Sequence, residues 1–363
     1  MQILEVQFLK DEYINKKGEV KEVPWKHKKR RSNLLAQSYL RQGNTSKASR
    51  VFDCGTFLDF KEFEDGTKKL HLANFCKIRL CPMCIWRRSK KVFAQVSKIM
   101  QHMTEHHDYR YIFLTTTFRN MDGRSLPDAI DSFMDAFNKM TKTKEFKKLS
   151  KGFFRALELT TKRHDDYHPH MHVIIAVNKS YFHRGGNSGY LTHEAWKNLW
   201  RSCADLDYDP WVYIEKVKPD NGTKVEDEKT YQGAVAELSK YTLKDAEVII
   251  DPYQMVFQGA DGKYHKMYKN TSEKGFDELK KWVEEMTDER VFTVDKALKG
   301  RRLISFGGKF REAHKLLNLD DPAEGDLIHT GNEDELREDL SYVIKTYRWS
   351  IEYMDFTQYS DAD

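Results

Sequence analysis

The stretch "HPHMHVIIAV", residues 168–177, sets three histidines at alternate positions and then runs into an unbroken apolar segment. In a strand, alternate residues share a face, so His168, His170 and His172 line one side. Three explanations compete for such a pattern: a metal site, a histidine nucleophile, or an accident of a polar strand edge. The flanking sequence decides between them.

Upstream, "GFFRALELTT" (152–161) reads as a second strand, joined to the first by the turn-forming "KRHDDYHP" (162–169). "YRYIFLTTTF" (109–118) reads as a buried strand, and "LPDAIDSFMDAFNKMTKTKEF" (126–146) as a helix with Pro127 near its first turn. Downstream, "THEAWKNLWRSCA" (192–204) is a helix capped by Thr192, "WVYIEKV" (211–217) a strand and "QGAVAELSKYTLKDAEV" (232–248) a helix. The order is β-α-β-β-α-β-α, an α+β fold with a central antiparallel sheet and helices packed on it. Trp196, Trp200 and Trp211 are assigned to packing, as is Cys203.

Outside this block, "RVFDCGTFLDF" and "TKKLHLANF" alternate like strands around an Asp-Gly hairpin turn, and "CKIRLCPMC" then leads into a long basic amphipathic helix ending near His107. Residues 1–45 read as a basic arm with one helix introduced by Ser32. Beyond residue 250, helices are expected at 274–300, 308–317 and 333–346.

With 363 residues the chain has room for two or three domains and a sizeable core. Its mean hydropathy is −0.74, and no apolar run approaches the roughly 18 residues that span a bilayer. The N-terminal stretch does not read as a signal peptide, and five cysteines, mostly clustered, fit a reducing cytoplasm better than a disulfide scaffold. A cytoplasmic address without membrane partners is expected. The net charge is only +5, yet "KHKKRR" (26–31) and "WRRSKK" (86–91) concentrate positive charge in the first part while the tail from Asp320 is acidic. A polyanionic partner would meet Lys28, Lys29, Arg30 and Arg31 in one run and Arg87, Arg88, Lys90 and Lys91 in the other. Solvated charged faces explain either run taken alone equally well.

Three constellations carry chemistry. Two imidazoles at i and i+2 bind one cation when a neighbouring strand offers a third ligand, and Glu158 is the only acid within its strand. Two imidazoles and a carboxylate with open positions suit Mn²⁺ or Mg²⁺, and zinc fits the ligand types as well. Asp165 and Asp166 in the adjoining turn are alternative carboxylates, and His168 is a further candidate ligand. On the last helix of the block, Glu237 and Tyr241 are four apart, and Tyr241 and Lys244 three apart, so they share a face. A tyrosine nucleophile toward a phosphodiester forms an aryl phosphate whose good leaving group keeps the step reversible. A lysine beside it can hold a phosphate oxygen, and a carboxylate can activate water. Finally, Cys76, Cys81 and Cys84 point thiolates at one ion, with Cys54 or His71 as fourth ligand, which suits a structural Zn²⁺.

In this order and spacing, "YIFLTTTF", "ALELT", "HPHMHVIIAV" and "AELSKYTLK" resemble the motifs of rolling-circle replication initiators of small bacterial plasmids, members of the HUH endonuclease superfamily. His170-Met171-His172-Val173-Ile174-Ile175 fits the HUHUUU pattern, U being a bulky apolar residue, and "RRLISFGGKFRE" (301–312) resembles the end of the family's common region. The resemblance spans roughly residues 45–315. It implies that 109–250 is the HUH nuclease domain; the residues themselves make 46–108 the hairpin, cysteine knuckle and basic helix, and 251–363 a mainly helical region with an acidic tail. It further implies that Tyr241 nicks the double-strand origin, staying joined to the 5′ phosphate and freeing a 3′-OH. His170, His172 and Glu158 would hold the metal, Glu237 would direct the terminating cleavage and strand transfer, and Lys244 would orient phosphate or metal. The implied partners are origin DNA, single-stranded or extruded at the nick, a host helicase and polymerase, and further protomers at the origin.

Two other classes are weighed against it. "HPHMHVI" is similar to the motif of histidine-triad nucleotide hydrolases, in which His170 would be the nucleophile and no metal is needed, but Pro169 falls where an apolar strand residue is usual. A non-enzymatic zinc-dependent DNA-binding protein would leave Tyr241 without a role.

Overall fold

A computed structural model describes residues 6–15, 18–183, 189–217, 235, 244–258, 264–269, 271–330 and 341–359. In chain order the elements begin with β1 (Glu12–Ile14), β2 (Val20–Glu22), α1 (Trp25–Arg41), α2 (Thr45–Asp53), β3 (Phe57–Phe63), β4 (Lys68–Ala73) and α3 (Pro82–His107). Next come β5 (Arg110–Thr117), α4 (Leu126–Lys142), α5 (Lys144–Leu149), β6 (Ser150–Arg163), β7 (Asp166–Val177), α6 (His193–Cys203) and β8 (Val212–Lys216). The chain continues through α7 (Asp245–Val248), β9 (Val256–Gln258), β10 (Tyr264–Lys266), α8 (Glu273–Leu298), β11 (Ile304–Gly308), α9 (Lys309–Leu316), β12 (Tyr342–Ser350) and β13 (Asp355–Tyr359).

The chain divides into two compact units, Met1–Lys91 with Val248–Phe292 and Asp326–Asp363, and Val92–Glu247 with Thr293–Gly325. The second unit carries the α+β sheet foreseen above. Its five strands lie in the order β11-β6-β7-β5-β8, every pair antiparallel. The opening stretch explains its own placement. Along the first half of β7, Tyr167, Met171 and Val173 are buried on one face while His168, His170 and His172 are half-buried on the other. Ile174, Ile175, Ala176 and Val177 lose contact with solvent altogether, so the strand ends inside the core. Each such Ile or Val side chain contributes on the order of 2 kcal/mol by burial. That anchoring fixes the register, because a one-residue slip would move the histidines to the opposite face.

Helix α4 packs Ile130, Phe133, Ala136, Phe137 and Met140 inward at helical spacing, and Phe133 meets Phe118 and Trp200 in an aromatic cluster. Thr192 caps α6 by accepting from the Ala195 N–H, and α6 buries Trp196, Trp200 and Cys203 as expected. Trp211 does not follow them: it is 59% exposed beside β8. The edge strand β11 was not foreseen as a strand. It approaches β6 where Gly308 stands opposite Gly152, and a Cβ on Gly152 would meet the Lys309 amide nitrogen at 2.6 Å. Gly308, at φ +53°, turns the chain directly into α9.

The first unit holds a four-stranded antiparallel sheet in the order β13-β12-β3-β4, with a bulge between Asp59 and Phe60. Here the expected helix over 333–346 gives way from residue 342 to strand β12, which pairs with β3 along Tyr342–Arg348. The expected N-terminal arm contains a core helix: α1 buries Trp25, Lys29, Ser32, Leu35, Ala36, Ser38 and Tyr39. Among the described residues no helix is long and apolar enough to cross a membrane.

Candidate functional site

Antiparallel pairing of β6 with β7 places Glu158 directly opposite His170, and pairing of β7 with β5 places Thr115 opposite His172 and Thr117 opposite His170. Facing residues in antiparallel strands project from the same side, so one sheet face gathers a carboxylate, two imidazoles and two hydroxyls. The Glu158 carboxylate is the focus. His170 Nε2 lies 3.1 Å and His172 Nε2 3.0 Å from its Oε2. Thr115 Oγ1 is 2.9 Å from His172 Nδ1, which leaves Nε2 of that ring turned to the carboxylate. His170 Nδ1 lies 3.3 Å from the His168 carbonyl.

Burial alone would push the Glu158 carboxyl up, but the hydrogen bonds and charge of His170 and His172 outweigh it and hold the group well below the usual carboxylate range. It is therefore an anion at neutral pH, as a ligand must be. Its second oxygen, Oε1, is buried without a hydrogen bond, although the Lys244 ammonium stands 3.3 Å away. Two nitrogen donors and a carboxylate oxygen lie within 4.8 Å of one another. Such donors fit a divalent cation with coordination positions left open for substrate.

The alternative carboxylates are occupied elsewhere. Asp165 accepts from the Gly123 N–H and Asp166 from the Asn120 amide. The His168 ring stacks on His170 with centroids 5.3 Å apart and stands outside the three-residue cluster. For the histidine-triad alternative, His170 Nε2 would have to be a free nucleophile, whereas Glu158 faces it at hydrogen-bond distance. Glu237 and Tyr241 lie outside the described residues.

The cysteines form a second cluster, in the first unit. Cys54, Cys76, Cys81 and Cys84 are all free thiols converging on one point, which selects Cys54 as fourth member over His71, an exposed residue of β4. The Sγ–Sγ separations are 3.5 Å for Cys54–Cys81, 3.6 Å for Cys54–Cys84 and 3.7 Å for Cys76–Cys84. A tetrahedron of thiolates around zinc with bonds of about 2.3 Å has edges of about 3.8 Å, so the four sulfurs already stand near the spacing such an ion requires. The Cys76 N–H also points at Cys54 Sγ, 3.3 Å away.

Lys29 was expected to grip phosphate. Instead it is fully buried, donating to the carbonyls of Phe52 and Cys54 beside this cluster. Burial lowers its affinity for a proton and the neighbouring Cys54, Cys81 and Cys76 raise it. A buried ammonium there compensates the negative charge of clustered thiolates.

Three residues of the second basic run also turn inward. Arg87 donates to the carbonyls of Leu327 and Ile328 at 2.8 and 2.6 Å, Arg88 to those of Ile78 and Lys77, and Lys91 to that of Asp326 at 2.6 Å. These four buried cations are internal ties, because a buried side chain committed to backbone carbonyls does not present its charge to DNA. The reason is helical phase: Arg87, Arg88 and Lys91 share the inner face of α3 with Cys84 and Val92, as Lys29 shares that of α1 with Trp25 and Ser32. Lys90 lies on the other face, 4.9 Å from the centre of the Trp86 ring. Arg30 pairs with Asp251 at 3.0 Å, Arg31 donates to Gln254, and Lys28 is half-buried.

Sequence reasoning missed Thr115 and the inward turn of Lys29. The first was signalled by hydroxyl residues closing an apolar strand, and the second by its spacing from Trp25 and Ser32.

Comparison with known proteins gives a consistent result. The sequence model of the replication protein family (Rep_1) matches residues 67–357. The chain is 36% identical over 344 residues to a protein rep of Bacillus amyloliquefaciens, covering 89% of this chain and 90% of that one. It is 32% identical over 324 residues to a protein rep of Streptococcus pneumoniae, covering 88% and 87%. A replication protein of Staphylococcus aureus is 33% identical over 264 residues, or 72% of this chain and 94% of its own. No solved structure matches the chain.

Proposed function

This chain belongs to the replication protein family, and from that membership we propose that it initiates plasmid rolling-circle replication by nicking one strand of the origin. The observation that carries the chemistry is the convergence of His170 and His172 on Glu158 across two paired strands. Glu158, His170 and His172 would hold a divalent cation, Mn²⁺ or Mg²⁺, which when bound would polarise the scissile phosphate and offset the charge that develops on it.

The chain's own groups do the rest. The Tyr241 phenolate attacks phosphorus, the P–O3′ bond breaks, and its electron pair leaves with the 3′ oxygen, which takes up a proton. The 5′ phosphate stays on Tyr241, and the freed 3′-OH primes the host polymerase while a helicase unwinds ahead of it. Lys244 holds a phosphate oxygen from beside Glu158. Glu237 takes the proton from the attacking group in the terminating cleavage. Thr115 keeps His172 turned toward the metal position. Cys54, Cys76, Cys81 and Cys84 would hold a structural zinc ion, which would fasten the β3–β4 hairpin to the start of α3.

The test uses supercoiled DNA of the replicon that encodes the chain. Mn²⁺ or Mg²⁺ should convert it to nicked circles, and chelator, His170→Ala or His172→Ala should abolish conversion. Undiminished nicking after loss of both histidines would overturn the metal assignment.

A further inference from the structure

Two exposed aromatic rings stand on the same sheet face as the metal-type cluster. Thr115 is directly opposite His172 on one side and directly opposite Tyr213 on the other. His172, Thr115 and Tyr213 thus form one cross-strand row, and facing residues share a side. Trp211, two positions before Tyr213, falls on that side too, while Val212 between them is buried on the reverse face. The Trp211 carbonyl accepts from Thr117 Oγ1 at 3.0 Å, and Thr117 faces His170. The edge strand therefore continues the two rows of the cluster, two strand spacings or about 10 Å from β7.

Both rings are turned out. Trp211 is 59% and Tyr213 40% exposed. Their planes are parallel to within 6°, with centroids 6.1 Å apart. Tyr213 is braced by its hydroxyl, which donates to Glu215 at 2.7 Å, and Asp209 next to this strand is engaged by Lys197 and Arg201. A large apolar surface left in water beside a site that handles a phosphodiester calls for an occupant with flat apolar faces and a charged backbone. Unstacked nucleobases have that chemistry, whereas the bases of an intact duplex keep their faces covered.

We propose that Trp211 and Tyr213 form a stacking platform for bases of single-stranded DNA adjoining the scissile phosphate. The platform rests on the reading of the neighbouring cluster as the nicking site. It takes bases by their faces, so it adds affinity without selecting sequence and favours melted over paired DNA.

The test measures binding of the full-length protein to a fluorescent 20-residue oligothymidylate, to a strand of the same length with abasic residues, and to duplex DNA. The platform predicts that Trp211→Ala and Tyr213→Ala each weaken oligothymidylate binding roughly 5- to 100-fold. Trp211→Phe should restore most of the loss. The slope of log affinity against log salt should stay unchanged, because no phosphate contact is removed. On the abasic strand, wild type and variants should bind alike. Equal binding of wild type and Trp211→Ala to oligothymidylate, in a wild-type protein that nicks its origin, would overturn the platform alone. A wild type that neither nicks nor binds single strands would overturn the underlying reading and the platform with it.

Discussion

Substituting Cys84 by serine should abolish the zinc binding proposed for the cysteine cluster and loosen the unit around it. Cys54 and Cys84 are 30 positions apart, so an ion joining them closes a loop that the unfolded chain must otherwise leave open. For a cross-link of that span, loop-closure entropy gives about 3.5–4 kcal/mol of stabilisation. The buried positive charge of Lys29, placed beside four sulfurs, becomes a further cost once the thiolates are no longer held as anions. For a unit of this size each kcal/mol moves the melting temperature by about 2–4 °C, so a fall of roughly 8–15 °C is expected. Zinc content by mass spectrometry and a melting curve, each with and without a strong chelator, provide the assay. Cys203→Ser is the control, since that thiol lies on α6 away from the cluster. The reasoning is refuted if protein purified under reducing conditions carries no stoichiometric metal and melts identically with chelator. Equal losses from Cys203→Ser and Cys84→Ser would refute it too.

Other outcomes follow from the same structure. Thr115→Val removes the partner of His172 Nδ1 and should weaken Mn²⁺ binding, read by calorimetry, by about 10- to 100-fold with the fold intact. Arg87→Ala should cost roughly 2–3 kcal/mol in denaturant unfolding, because the buried Leu327 carbonyl and the half-buried Ile328 carbonyl lose a charged donor, yet leave the salt dependence of DNA binding unchanged. Lys90→Ala, on the outer face of the same helix, should make that salt slope shallower by about one. Gly152→Ala drives a methyl group against the Lys309 amide and should destabilise the protein by about 1–3 kcal/mol, visible as a lower melting temperature.

What the sequence disclosed depended on the range of the signal. Alternation along β7 and the short turn to β6 specify a hairpin register locally, so the convergence of Glu158, His170 and His172 could be read from 15 consecutive residues. The Cys-x2-Cys turn is equally local, and one hairpin brings Cys54 to it. The strand β11 was not legible in the same way. "ISFGG" is short and rich in glycine, and its partner β6 lies about 150 positions upstream, so its strand character comes from pairing alone. Strand β12 pairs across an even longer separation with β3, and most of its residues are exposed or half-buried, which gave no clear period. The basic runs misled because charge was counted without helical phase: Lys29, Arg87, Arg88 and Lys91 sit on faces that the apolar spacing already marked as inward. Trp211 misled in the opposite sense, since a tryptophan near others reads as core until the strand parity shows which way it faces.

In the proposed mechanism Tyr241 forms the covalent link to DNA. The direct measurement is peptide mapping by mass spectrometry of protein incubated with Mn²⁺ and single-stranded oligonucleotides tiling the replicon. One peptide, containing Tyr241, should carry a 5′-phosphorylated oligonucleotide, with no adduct in Tyr241→Phe or with chelator. An adduct on a different residue, or nicked product with no adduct at all, would contradict it.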